Sequence, residues 1–285
     1  MVGMWATSPQ TTFEGSHRPR PVIWQERRHA AVVWMFRTRL SGARAADLFR
    51  AVAAVVEEGT FRVTGDSMGI VSLDPAHVSL VDFELRSEAA EEFVADGEAE
   101  MTVNLQELLK FLKRARKGEA LTLTYDEERR RLDIVLTDPT KSRERRFELA
   151  TLEWRAEPPK IPNLTFTAKA TVLTDALWEA VEDARLVSDS VKIAIRPDEV
   201  VFSAEGWGDG GAVENRLSNS SPLVYEIEAD GDVAASYSLS YLEKIVGAAR
   251  FSDIVTIELS TKKPLRLTFN LAEGRLQYLL APRAE

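Results

Sequence analysis

The chain has 285 residues, enough for two domains that each bury a core. Its 36 Lys and Arg against 45 Asp and Glu leave a net charge of -9, so bulk electrostatics oppose adsorption to nucleic acid or anionic membrane. With no cysteine and only His17, His29 and His77 as imidazoles, disulfides, thiol chemistry and Cys- or His-based metal sites are nearly excluded, and no cofactor is expected. No apolar run approaches the roughly 20 residues that span a bilayer, and the start lacks the apolar core of a secretory signal. A cytoplasmic protein with no membrane partner is expected.

Residues 1–34 carry Pro9, Pro19 and Pro21 and the basic pair Arg27 and Arg28, with no lasting periodicity. They read as a disordered extension, or as lying upstream of a true start at Met35, where the alternating stretch MFRTRL begins. Residues 47–58 form a helix by the spacing of Leu48, Val52 and Val55, with Gly59 as its left-handed stop. Strands follow at 61–63, 69–73 and 78–85. Asn104 is placed to cap a second helix from Leu105 to about Arg116, ended by Gly118. A hairpin at 121–125 and 132–136 completes a first domain, 35–153. Pro158, Pro159 and Pro162 resist helix and ladder alike and mark a linker, 154–163. A second domain, 164–285, repeats the plan, with helices near 174–187 and 239–249.

The repetition is visible in the letters. ELLKFLKRARKGEALTLTY from Glu107 matches YLEKIVGAARFSDIVTIEL from Tyr241, and the segment from Asp47 matches the one from Ala176 at nearly the same separation. Such a period is too long for a solenoid unit and points to two similar α+β domains.

The segment KFLKRARK sets Lys110, Lys113, Arg114, Arg116 and Lys117 within eight residues of an acidic protein. At 100° per residue, Lys110, Lys113, Arg114 and Lys117 share one arc of about 100°, opposite Leu105, Leu108, Leu109, Leu112 and Ala115. A solvated face with cations at a helix C-terminus explains this as well. As a binding surface it has no aromatic or amide residues for base readout, so it fits sequence-independent phosphate contact.

Two motif matches point elsewhere. Residues 65–69 satisfy G-x-S-x-G, which raises a serine hydrolase using Ser67 as an alternative. Yet Ile70 to Leu73 continues as strand where a nucleophile elbow needs a helix. Residues 206–211 satisfy G-x-G-x-x-G with no helix after them, as a hairpin loop would. Asp74 and Asp82 read most simply as surface charges, like Glu127 and Glu128. A scaffold that does not touch DNA is the other alternative.

At DSMGIVSLDPAHVSLV from Asp66 the chain resembles sliding clamps of the proliferating cell nuclear antigen type, particularly archaeal ones. LVSDS from Leu186, EGRL from Glu273 and LLAPR from Leu279 add to the resemblance, which covers residues 35–285. It implies a non-enzymatic processivity factor: three subunits, as a homotrimer or with paralogous subunits, joined head to tail into a pseudo-sixfold ring around duplex DNA. Four helices of each subunit would line the hole. Lys110 and Lys113 match the family's pore lysines, Arg114, Arg116 and Lys117 extend the set, and Arg44, Arg50, Lys244 and Arg250 are further candidates. The third helix departs from a basic pore through Asp175, Glu179, Glu182 and Asp183. The implied subunit interface joins 142–149 to 212–218 and involves Arg143, Arg145, Phe147, Val213, Arg216 and Leu217, with Asp175, Glu179 and Asp183 facing a neighbour's arginines. The implied partner pocket comprises Leu73, His77, Val78, Ile161, Pro162, Pro264, Leu279, Ala281 and Pro282. It would take short peptide motifs of DNA polymerase, flap endonuclease and DNA ligase. A clamp loader would open the ring with ATP, for which this chain has no P-loop.

Overall fold

A computed structural model describes residues 36–153, 157–208 and 210–283. The expectations for residues 1–34 lie outside them. The first half runs β1 (Phe36–Ser41), α1 (Gly42–Val52), β2 (Glu58–Val63), β3 (Ser67–Leu73), β4 (Ser79–Arg86), β5 (Glu92–Ala95), β6 (Ala99–Asn104), α2 (Leu105–Leu112), β7 (Ala120–Asp126), β8 (Arg131–Asp138) and β9 (Arg143–Ala150). The second half repeats that order: β10 (Ala168–Leu173), α3 (Thr174–Arg185), β11 (Ser190–Ile195), β12 (Glu199–Glu205), β13 (Ala212–Ser218), β14 (Val224–Ala229), β15 (Val233–Ser238), α4 (Leu239–Ala249), β16 (Ile254–Leu259), β17 (Leu265–Asn270) and β18 (Gly274–Leu280).

Each half builds one sheet in the order β5-β1-β7-β8-β9 or its equivalent β14-β10-β16-β17-β18, and another in the order β4-β3-β2-β6 or β13-β12-β11-β15. Two of these four sheets fuse. β18 pairs antiparallel with β4, from Gly274 opposite Leu85 to Leu280 opposite Ser79, to make a nine-stranded sheet that crosses from one half to the other. The equivalents of those two strands, β9 and β13, are the outermost strands of the remaining sheets. Over the sheets the helices pack side by side in the order α2, α1, α4, α3. Leu48 and Phe49 of α1, Leu105, Leu108, Leu109 and Leu112 of α2, Leu177 and Val181 of α3, and Leu242, Ile245 and Val246 of α4 are all buried. Their spacing is that of one apolar stripe per helix.

Local chemistry sets the ends of these elements. The Asn104 side chain accepts the Glu107 N–H at 2.9 Å and caps α2 as anticipated. That helix stops at Leu112, earlier than expected. The Arg114 and Ala115 N–H groups reach back only three residues, to Phe111 and Leu112, and Gly118 adopts φ 86° before β7. α1 begins at Gly42 instead of Asp47 and ends at Val52 instead of Glu58. Gly59 is no helix stop: it lies inside β2, opposite Val103, with no positive φ. A Cβ there would come within 2.3 Å of Ile70 Cδ1, so the glycine makes room for a core side chain.

Candidate functional site

The five clustered cations all sit at the surface, but not on one helix face. Only Lys110 lies within α2, where it pairs with Glu107 at 2.5 Å, and Lys113 caps the helix. Arg114, Arg116 and Lys117 stand on the turns leading to β7, so the helical arc drawn from 100° per residue does not hold for them. These turns are fastened from below. The buried Glu119 carboxylate accepts the Arg116 N–H at 2.8 Å and Arg145 Nη2 at 2.5 Å, while the same Nη2 donates to the Arg114 carbonyl at 3.0 Å. Lys113, Arg114, Arg116 and Lys117 enter no side-chain ion pair among the described residues, so their charges point outward unneutralised.

The other candidate cations are more committed. Arg44 on α1 makes a two-pronged ion pair to Glu273, at 2.5 and 2.9 Å, and lies 4.6 Å over the Phe251 ring. That hydrogen bond raises the Arg44 pKa and lowers that of Glu273. The pair joins the two halves of the molecule. Arg50 pairs with Asp47 at 2.8 Å, and Arg250 pairs with Asp175 at 3.0 Å beside Trp178. Lys244 is exposed on α4. On α3, Asp175, Glu179 and Glu182 are exposed and Asp183 is half-buried. The helix row therefore runs from basic at the α2 end to acidic at the α3 end.

Those two ends coincide with the edge strands β9 and β13, since α2 packs on β9 and α3 on β13. Phe147 of β9 stacks on Phe111 of α2, with centroids 5.0 Å apart, while Asn215 of β13 donates to Asp183 of α3 at 3.1 Å. Arg145, Phe147, Val213, Asn215 and Leu217 thus face the helix side, half-buried. Glu144, Arg146, Glu214 and Arg216 face away, exposed. Arg143 opens β9 and is exposed. Arg145 is held within its own subunit through Glu119, and its Nε is buried without a hydrogen-bond partner.

A cavity of about 520 Å³ opens where the halves meet. Of the predicted pocket residues it takes in Val78, Ala281 and Pro282, and it adds Ser238, Leu239, Ser240 and Tyr241, which sequence reasoning missed. Leu73 and Ile161 are large apolar side chains left 36% and 49% exposed, as a docking surface requires. His77 and Pro162 are exposed, Pro264 is half-buried, and Leu279 is nearly covered.

Asp74, bonded to Tyr241 of this cavity, and Asp82 prove to be buried, not surface charges. Asp82 accepts from Arg275 at 3.1 Å across the β4–β18 pairing. Asp74 accepts the N–H groups of Ala76, Val78 and Ser79 at 3.0, 2.7 and 2.6 Å and the Tyr241 hydroxyl at 2.6 Å. Burial works against its charge, but the bonds from Ser79, Tyr241, Ala76 and Val78 together hold its pKa below the ordinary carboxylate value. The same contact pushes the Tyr241 phenol up to about 12. The Asp-Pro pair at 74–75 was the available signal, because such pairs start side-chain-closed turns. His77 takes φ 56° within this turn.

Neither catalytic motif has its required setting. Ser67 closes the hairpin turn between β2 and β3, with the Thr64 N–H bonded to its carbonyl at 2.8 Å, and strand follows it. The glycines at 206–211 form the loop between the antiparallel strands β12 and β13, where the Gly206 N–H meets the Gly211 carbonyl at 2.9 Å.

Two family models match the chain: the N-terminal domain of proliferating cell nuclear antigen over residues 35–157, and its C-terminal domain over residues 160–284. The chain is 32% identical over 250 residues to DNA polymerase sliding clamp 1 of Pyrobaculum aerophilum, covering 87% of this chain and 98% of that protein. It is 34% identical over 241 residues to the DNA polymerase sliding clamp of Pyrococcus abyssi, covering 84% and 94%. The crystal structure of PCNA from Thermococcus kodakaraensis superimposes with a TM-score of 0.81 at 29% identity, over 87% of this chain and 100% of that one.

Proposed function

Because the chain belongs to the proliferating cell nuclear antigen family and is a DNA polymerase sliding clamp, a processivity factor without catalysis, we propose that three subunits close head to tail around duplex DNA. One observation carries this. The β18–β4 pairing that joins the two halves has its counterpart in β9 and β13, which among the described residues pair with nothing on their outer sides. A repeat that satisfies one junction internally leaves the equivalent strands to a neighbour. Residues 35–153 and 164–285 then act as two alike domains linked by 154–163, and three subunits make a pseudo-sixfold ring. Closing it removes strand edges that would otherwise invite aggregation.

The helix row lines the hole in this reading. Lys110, Lys113, Arg114, Arg116 and Lys117 supply phosphate contacts that are sequence-blind and easily exchanged, which suits sliding. Arg44, Arg50, Arg250 and, within the set, Lys110 contribute less, because a carboxylate already holds each. The cavity at the junction of the halves, extended by Leu73 and Ile161, receives short peptide motifs of polymerase, flap endonuclease and ligase on the outer face. A clamp loader opens the ring, and the protein works with the nucleoid in the cytoplasm.

The experiment is loading onto nicked circular DNA. The protein should stay bound through a high-salt wash and be lost once the circle is linearised. Equal loss before and after linearisation would refute encirclement.

A further inference from the structure

The turn at 74–79 lines the cavity through Val78, and the first turn of α4 lines it through Leu239, Ser240 and Tyr241. One belongs to the first half of the molecule and the other to the second, so the shape of the cavity depends on how the halves are tied at this point. Among the described residues, two hydrogen bonds beyond the β18–β4 pairing tie them here. The Ala281 N–H donates to the Val78 carbonyl at 2.9 Å, and the Tyr241 hydroxyl donates to Asp74 Oδ2 at 2.6 Å. The first joins two residues of the lining; the second joins a lining residue to a buried carboxylate behind it.

Asp74 passes that tie on to the whole turn. Its Oδ1 accepts the Val78 and Ser79 N–H groups at 2.7 and 2.6 Å, its Oδ2 accepts the Ala76 N–H at 3.0 Å, and its backbone carbonyl accepts the His77 N–H at 2.9 Å. Within these bonds His77 sits at φ 56°, a left-handed conformation that a residue with a Cβ keeps only where its surroundings impose it. One carboxylate thus fixes the backbone that presents Val78, and fixes it relative to α4. A hydroxyl-to-carboxylate bond is among the stronger ones a protein makes, and burial of Asp74 keeps water from replacing it.

The fold itself does not require this arrangement. Asp74 is the first residue after β3 and Tyr241 the third of α4; their equivalents in the repeat are Gly206, first after β12, and Glu107, third of α2. Gly206 has no carboxylate and Glu107 pairs with Lys110, yet the strands flanking both turns pair in the same way. The bond is therefore a property of the turn that borders the cavity and not of the domain plan. Tyr278 supplies a contrast. Its hydroxyl also joins the halves, donating to the Ala51 carbonyl at 2.5 Å, but it lies in the core and outside the cavity lining.

On the reading that this cavity receives partner peptides, we propose that Asp74 and Tyr241 are positioning residues for that binding: their bond holds Val78 and the start of α4 in place before any peptide arrives. A cavity held in its binding shape shows its full intrinsic affinity. One that takes that shape only part of the time loses affinity in proportion, and the loss falls on the association rate. A peptide that touched the hydroxyl itself would instead leave faster once the hydroxyl was gone.

The test compares Tyr241→Phe with Tyr278→Phe in the full chain, using stopped-flow mixing with a fluorescein-labelled synthetic peptide of a flap endonuclease clamp-binding motif. Tyr241→Phe keeps the ring in the lining and leaves the backbone bonds of Asp74 intact, so the turn should still fold. It should weaken the peptide about fivefold or more through slower association, with dissociation within about twofold of wild type. Tyr278→Phe should lose at least as much stability in urea and still bind within about twofold of wild type. Asp74→Asn should also slow association, and combined with Tyr241→Phe it should cost less than the product of the two, because both break one bond. Undiminished association in Tyr241→Phe, equal weakening by Tyr278→Phe, a loss confined to dissociation, or independent effects in the double variant overturns the proposal. If Ile161→Ala weakens the peptide and Tyr241→Phe does not, the positioning role fails and the pocket reading stands. If the wild type does not bind the peptide, the pocket reading falls and the positioning role with it.

Discussion

The β18–β4 junction and the open strands β9 and β13 share one backbone plan and differ in what they carry. At the internal junction Leu276, Tyr278, Val81 and Phe83 are all buried. At the open edges the corresponding places hold Arg145, Phe147, Val213 and Asn215, all half-exposed. The turn beside the junction differs too. Residues 74–79 are locked by the Asp74 carboxylate and by Tyr241 from the other half, whereas the equivalent turn carries Gly206, Gly208, Gly210 and Gly211, with Gly208 and Gly211 at positive φ. The lesson is physical. A junction formed once, during folding, can be apolar along its whole helix-side face, whereas edges that stand in water keep polar groups such as Arg145 and Asn215 there as well.

The sharpest way to break this comparison is to truncate equivalent positions. Tyr278 is fully buried, and its hydroxyl donates to the Ala51 carbonyl at 2.5 Å, so Tyr278→Ala should cost about 3–5 kcal/mol in denaturant unfolding of the subunit. Its counterpart Phe147→Ala should cost only about 1 kcal/mol there, the worth of an aromatic pair, while weakening the proposed trimer. Equal losses of subunit stability would show that the edge is as internal as the seam.

Asp74 comes next. Its folded pKa lies below the ordinary 3.8, so the stability it contributes is present above that value and is lost as pH falls through the folded pKa. Asp74→Asn should destabilise the protein at pH 7 by about 1–3 kcal/mol, since it replaces a buried carboxylate bonded by four donors. The difference from wild type should shrink below pH 3.8. A constant difference across that range would mean the lock does not depend on the charge.

The smallest effect concerns the proposed peptide pocket. Ile161→Ala should weaken a clamp-binding peptide by about 1 kcal/mol, read as Kd, as for a secondary anchor, and leave unfolding unchanged. Undiminished binding would remove Ile161 from the pocket.

Much of this was legible in the letters. Matching segments announced the repeat, Asn104 announced the start of α2, and alternating residues announced strands such as β4, β7 and β8. Apolar periodicity and capping are local, and they survive into the fold because each element buries its own stripe. The end of α2 was not legible. Lys113 to Lys117 continue a plausible helical pattern, and only the tie of Glu119 to Arg145 and to the Arg116 N–H, on a distant strand and at the next turn, curtails it. Nor could composition reveal that Arg44 is held by Glu273, that Asp74 and Asp82 are buried, or that Tyr241 and Ser238 reach the cavity. Those contacts join residues more than a hundred positions apart.

The sequence by itself determined the two-domain α+β plan, the family and the position of the basic cluster, because these rest on period, turn chemistry and local composition. Only the tertiary structure decided which cations stay unpaired, which carboxylates lose their water, and that β9 and β13 stand at sheet edges while their counterparts β18 and β4 pair. Each of those depends on what another segment brings alongside, and desolvation and ion pairing exist only once it has arrived.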